Sequence, residues 1–156
     1  MKKISLFIVL VSIVFLNPSC VKDTSCSPNP VANEASQIQA YALVEGITTT
    51  AHPSGLYYEI LDQGTGPSAN VNSNITITYR GELLSGEMFD ERTTPNDPAW
   101  PLFNLIEGWI IGIPLIKEGG HIKLIVPSAL AYGCQGRGVI PPNAPLYFDI
   151  HLVDVQ

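Results

Sequence analysis

Charge is the scarcest property of this sequence. Only 14% of its 156 residues are Asp, Glu, Lys or Arg, against 46% apolar residues. Basic side chains are the rarer sign, 8 against 14 acidic, for a net charge of −6. Beyond Lys2-Lys3 they form no run. A chain without a basic stripe lacks what neutralises phosphates, so nucleic acid is not expected as a partner. Cysteine is also rare, three in all, with no CxxC pair. His52, His121 and His151 stand far apart, without the short spacing of metal ligands, so neither a metal site nor a cofactor is expected. No apolar run reaches the ~20 residues that a helix needs to cross a bilayer. Apolar residues are nevertheless more plentiful than in a disordered chain. The 13 Gly and 13 Pro suit a β-rich domain with many turns. The length fits one domain with extensions.

The longest apolar run, ISLFIVLVSIVFL at 4–16, follows Lys2 and Lys3. A positive start and a short apolar run make a signal peptide rather than a membrane span. The run ends in Leu16-Asn17-Pro18-Ser19-Cys20, a helix stop and a small residue before a cysteine. This resembles a bacterial lipoprotein signal, which implies that Cys20 is acylated and becomes the mature N-terminus. Asn17 departs from the pattern, because an aliphatic residue is usual there. The alternative is an ordinary secretory peptide cut nearby, which leaves Cys20 free. The first outcome anchors the protein in the cell envelope by several acyl chains, enough for stable attachment, facing the periplasm or the cell surface. The second leaves it soluble in the periplasm. Without residues 1–19 the remainder carries 6 basic and 14 acidic side chains, a net −8.

Residues 20–33 are polar, contain Pro28 and Pro30 and lack periodicity, so they are expected to be an extended, mobile tether. Cys26 lies in this tether and Cys134 in a Gly-rich loop, and no disulfide between them is expected. Residues 34–54 form an extension. Its segment 34–46 suits a short amphipathic helix with Ile38, Tyr41, Ala42 and Val44 on one side and Gly46 as its stop.

From 55 to 156 the chain reads as one domain. LYYEIL at 56–61 is a strand candidate, closed by the turn residues of DQGTGPSAN. NITITYR at 74–80 alternates, with Ile75, Ile77 and Tyr79 on one face. Ser85-Gly86 marks a hairpin that returns through Met88-Phe89-Asp90. A polar connection at 91–99 leads to apolar chain at 100–106 and a short helix at 106–113, which Gly112 and Pro114 end quickly. Residues 121–127 form another strand, 128–142 a long Gly-rich loop, and 145–155 a last strand with Leu146, Phe148, Ile150 and Leu152 inward. Four or five antiparallel strands around one short helix make an α+β layer.

The motifs YRGELLSGEMFD, LIEGWIIGI, LAYG and GVIPPNAPLYFDIHL occur in that order. Together they resemble the FKBP-type peptidyl-prolyl isomerases. The resemblance covers residues 55–156 and implies an antiparallel half-barrel sheet wrapped around one short helix, with an apolar pocket between. It implies catalysed rotation of X-Pro bonds in exported proteins, assisting their folding. Proline-containing polypeptides are the implied partners, and the family's macrolide inhibitors are candidate ligands.

The chemistry fits what the sequence lacks. Rotation about a peptide bond costs ~18–20 kcal/mol because resonance is broken. No covalent bond is made, so no nucleophile, metal or strong base is required. The twisted amide has less charge separation than the planar one, so an apolar pocket disfavours the ground state relative to the transition state. By resemblance Trp109 is the pocket floor, and Tyr79, Phe89 and Phe148 are its aromatic walls. Leu105 and Ile106 lie beside the floor, where the Ile106 N–H would hold a substrate carbonyl. Tyr132 supplies a rim hydroxyl, Asp90 a carboxylate at the pocket edge, and Ile140 the tip of the flap. For a single alternating aromatic, plain core packing is the simpler reading. A carboxylate after Phe89 is harder to place in a core, because burying it is costly unless it is paired.

The pattern also departs from the family. The stretch between Phe89 and Leu105 does not align without gaps, and Trp100 faces either the pocket or the core. Arg137 stands in the flap where some members have His, so it bears on the rim. Ile110 and Ile111 replace residues that are often acidic, and serve either a partner contact or packing under the N-terminal extension. Only nine residues separate Tyr132 from Pro142, too few for a chaperone insert in the flap. The alternative to an enzyme is a binding module that holds Pro-containing segments in the same pocket without turnover.

Overall fold

Two ten-residue segments with strict alternation set the architecture. The computed structural model describes residues 26–156; the expected signal peptide, Cys20 and the first part of the expected tether lie outside the described residues. Strand β3 (Asn74–Leu83) pairs antiparallel with β7 (Leu146–Val155) along its length. Ile75 and Ile77 on one strand, and Leu146, Phe148, Ile150 and Leu152 on the other, are buried on the shared inner face. The remaining strands are β1 (Thr50–Ala51), β2 (Tyr57–Asp62), β4 (Met88–Arg92), β5 (Trp100–Pro101) and β6 (His121–Val126). They complete an antiparallel sheet in the order β1-β2-β6-β7-β3-β4, with β5 pairing beside β3. Seven strands exceed the expected four or five because β1 and β5 have two residues each, too short to show alternation.

Helix α2 (Glu107–Gly112) lies against the inner face. Its approach needs glycine: a Cβ at Gly112 would meet Leu124 Cδ1 of β6 at 2.7 Å, and one at Gly108 would overlap Val126. The main core fills the space between, with Leu56, Leu102, Ile113, Ile116, Ile122 and Leu124 fully buried. Ile110 and Ile111 of α2 are half-buried, and Ile111 packs on this core. The N-terminal extension packs elsewhere.

Helix α1 (Val31–Val44) lies on the opposite face of the sheet. It starts three residues before the expected 34, with Pro30 at its N-cap. Gly46 with φ 65° follows its end. Ile38 and Ala42 pack with Ile47 and with Ile125 of β6, so the sheet is covered on both faces at this end. Val44, expected on the buried side, is 81% exposed. It lies six residues beyond Ile38, about 240° around a 3.6-residue helix. Glu34 occupies the buried stripe instead: its carboxylate accepts from the Ser128 amide at 2.7 Å, the Ser128 hydroxyl at 2.5 Å and Asn29 Nδ2 at 2.9 Å.

The tether expectation fails from Cys26 onward. Cys26 and Cys134, expected not to pair, are joined in a disulfide with a Cα–Cα distance of 5.5 Å. The sequence separation of 108 residues concealed this. Docking of α1 brings residues 26–30 back along the 128–142 loop, where the Asn29 amide also donates to Asn143 Oδ1. The histidine expectation needs a similar correction. β6 and β7 pair in a register that sets His121 opposite His151, and their rings stack 3.7 Å apart. His52 is elsewhere, bonded to Ser54.

Candidate functional site

A cavity of about 640 Å³ opens between the inner face of the sheet, α2 and the 128–142 loop. That size lies in the range of small-ligand sites. Tyr79, Phe89, Asp90, Trp100, Leu105, Ile106, Trp109, Tyr132, Arg137, Ile140 and Phe148 all line it. Every residue singled out in the sequence for a pocket is therefore in one place.

Trp109 forms the floor, because Gly108 and Gly112 on either side let α2 sit deep against β6. Its ring meets Tyr79 edge to face, with centroids 4.9 Å apart, and Phe148 likewise at 5.1 Å. Phe89 stands at 88° to Phe148, 5.6 Å away. Such edge-to-face contacts favour one arrangement of the rings over others. Gly81 makes room for the wall: a Cβ there would meet Phe89 Cζ at 2.8 Å and Phe148 Cε1 at 3.0 Å. The Trp109 Nε1–H is buried without a hydrogen-bond partner among the described residues.

The polar groups are few. The Tyr79 hydroxyl donates to Asp90 Oδ2 at 2.5 Å. Burial comes first, and this bond with the nearby carboxylate adds to it, in pushing the Tyr79 phenol far above its usual range, so it stays protonated. Asp90 itself is exposed, not buried, and no buried-charge penalty arises. Ile106 accepts through its carbonyl from the amides of Trp109 and Ile110, while its own N–H enters no hydrogen bond among the described residues. Arg137 places its guanidinium 5.5 Å from the centroid of the half-buried Tyr132 ring.

The structure decides one open alternative and corrects one expectation. Trp100 faces the cavity, 6.4 Å from Tyr79 and under the Arg92 guanidinium at 5.0 Å. Ile140 is not the tip of the loop. It is only 6% exposed and turned into the core, whereas Val139 is 67% exposed and forms the tip. Sequence reasoning missed Pro101, Asn104, Gly138 and Val139 in the lining. It also missed Asn96, which is buried in the 93–99 connection. Its Oδ1 accepts from Ile77 N at 2.8 Å and its Nδ2 donates to Ile75 O at 3.0 Å, bracing β3 under the cavity. No periodic signal marks a lone Asn in a polar loop.

Residues 66–153 match the family model of FKBP-type peptidyl-prolyl cis-trans isomerases. The chain is 37% identical over 119 residues to the FKBP-type peptidyl-prolyl cis-trans isomerase FkpA of Escherichia coli, covering 76% of this chain and 43% of that protein. It thus spans less than half the length of that relative. The crystal structure of Escherichia coli FkpA superposes with a TM-score of 0.70 at 33% identity, over 81% of this chain and 61% of that one. A peptidyl-prolyl cis-trans isomerase structure from Pseudomonas syringae pv. tomato gives a TM-score of 0.68 at 28% identity, over 83% and 98%.

Proposed function

This chain belongs to the FKBP-type peptidyl-prolyl cis-trans isomerase family, and from that premise we propose that it catalyses rotation of X-Pro bonds in proline-containing polypeptides, assisting their folding. The observation that carries the reading is the aromatic cavity floored by Trp109, whose two charged lining residues, Asp90 and Arg137, are both exposed. A prolyl ring stacks on the indole, and the apolar walls strip water from the amide. The planar ground state, with its larger charge separation, loses more by this than the twisted transition state. The Ile106 N–H and the Tyr132 hydroxyl hold the neighbouring carbonyls, which fixes the chain while the bond turns. Asp90 keeps the Tyr79 phenol oriented at the edge. Uncatalysed exchange takes tens to hundreds of seconds, slow enough to limit folding.

The test is a protease-free measurement of cis-to-trans exchange on a short X-Pro peptide. Acceleration by catalytic amounts of protein supports the reading. Peptide binding without acceleration would assign a binding module instead.

The proposal includes a location in the cell envelope, with Cys20 acylated. Lys2-Lys3, the apolar run at 4–16 and Ser19 before Cys20 support it. Among the described residues no helix is long and apolar enough to cross a membrane. Expression of Cys20→Ala in a Gram-negative host tests it. The variant leaves the membrane fraction and changes mobility; if it does neither, Cys20 is not a lipid anchor.

A further inference from the structure

We propose that His121, Asp149 and His151 form a binding site for a divalent transition-metal ion on the face of the sheet opposite the aromatic cavity. Each offers one ligand atom, and these atoms lie within 4.8 Å of one another. Alternation separates the two sites: Phe148 points into the cavity, and Asp149 and His151 are on neighbouring strand positions of the other face. His121 is directly across the β6–β7 ladder from His151. The ligands therefore stand on paired backbone in the middle of the sheet, not on a loop.

The chemistry of the donors selects the ion. Two imidazoles and one carboxylate suit zinc, nickel or copper, whereas magnesium and calcium take oxygen ligands. His121 Nε2 is already 2.6 Å from Asp149 Oδ1, and the two rings are stacked with planes 23° apart. Tetrahedral zinc with bonds of ~2.0–2.1 Å needs its ligand atoms roughly 3.3–3.4 Å apart. The His121–Asp149 pair therefore opens by roughly 0.7 Å to admit the ion, and rotation of the exposed His151 side chain brings in the third ligand.

The neighbouring cations do not compete for Asp149. Lys123, opposite Asp149 on β6, reaches Glu59 of β2 at 3.7 Å, and Arg80, opposite it on β3, pairs with Glu82. Three protein ligands leave a fourth position for water or another donor, the pattern of an open zinc site rather than a closed structural one.

The experiment is a zinc titration by calorimetry, with thermal unfolding in parallel, on the tag-free chain carrying Cys20→Ser, which removes the one thiol outside the disulfide. The expected result is one zinc ion bound with micromolar affinity and a rise in melting temperature, with no response to magnesium. Asp149→Asn and His151→Ala, both at solvent-reached positions, each weaken zinc binding at least ~10-fold. His52→Ala, at the histidine outside the cluster, leaves it unchanged. No zinc binding up to millimolar concentration overturns the proposal. So does binding that persists at full strength in both cluster variants, or that disappears in His52→Ala.

Discussion

Asp90 and Tyr132 are the residues at which shape and chemistry separate most cleanly. Asp90 is exposed and contributes little to packing, yet it accepts the Tyr79 phenol at 2.5 Å. Asp90→Asn keeps the shape and removes the charge on that bond, and hydrogen bonds to charged groups contribute about 1.5–3 kcal/mol. The loss is expected chiefly in turnover: kcat/KM falls roughly 3- to 10-fold, more than the melting temperature does, because Asp90 is exposed. Tyr132→Phe should behave alike. Steady-state kinetics beside thermal melts check both, and unchanged kinetics in both variants would show that neither polar group acts in turnover. Trp109→Ala is less informative, because emptying the floor also costs ~3–5 kcal/mol of stability. A second residue-scale prediction concerns Tyr41. Burial first, then the carboxylates of Glu45 and Glu82, push its phenol from 10.0 to about 12. The unfolded chain ionises this group first, so stability holds below about pH 10 and falls as pH rises from there towards 12. Urea midpoints at about pH 9 and pH 11 should differ less in Tyr41→Phe than in the wild type. An equal drop in both would remove Tyr41 as a cause.

Helix α2 sets helix propensity against packing. Alanine is favoured over glycine inside a helix by ~0.8–1.0 kcal/mol, so Gly112→Ala would stabilise an isolated helix. Here the added Cβ meets Leu124 at 2.7 Å, and overpacking a tight core costs typically 1–3 kcal/mol. The expected net is a destabilisation of roughly 1 kcal/mol, read from a denaturant midpoint; a gain in stability would mean that the helix can slide. Helix α1 is held by the Cys26–Cys134 disulfide, by Glu34 on Ser128 and by Ile38 and Ala42 on Ile125. Removing a disulfide that closes a loop of this length costs about 2–5 kcal/mol. Reduction, or Cys26→Ser with Cys134→Ser, should raise amide exchange in α1 and the 128–142 loop more than in β7. Uniform loss of protection would show that α1 and the sheet open as one unit.

On the scale of the whole molecule, charge and the apolar rim act together on substrate choice. The chain without residues 1–19 is net −8. Beside the cavity opening Val139 is 67% exposed and lines the cavity wall, so an apolar residue before proline gains burial at about 25 cal/mol per Å². An acidic residue there meets an acidic protein, and salt screens that repulsion as the Debye length shrinks to a few Å. Leu-Pro peptides should turn over faster than Glu-Pro peptides, and the gap should narrow between about 20 mM and about 500 mM salt. Arg137 and Arg92 are the groups that oppose this order, through their positions over Tyr132 and Trp100. Equal rates at low salt, or a preference for Glu-Pro, would show that the two guanidinium groups outweigh the net charge.

Whatever depends on neighbours a few residues apart is legible in the sequence. The alternation of Ile75, Ile77 and Tyr79, and of Leu146 through Leu152, is local and names both the strands and their inner faces. The four motifs carried the family and with it the lining from Tyr79 to Phe148. Register, and the face that an extension covers, emerge first in the folded chain. The pairing of Cys26 with Cys134 follows from the docking of α1, and the meeting of His121 with His151 from the β6–β7 ladder. The exposure of Asp90 follows from the place of β4 at the edge of the sheet, and the inward turn of Ile140 and the brace from Asn96 depend on loops whose conformation has no period to read. Contacts between residues distant in sequence are set by how elements pack, and packing is a property of the whole chain.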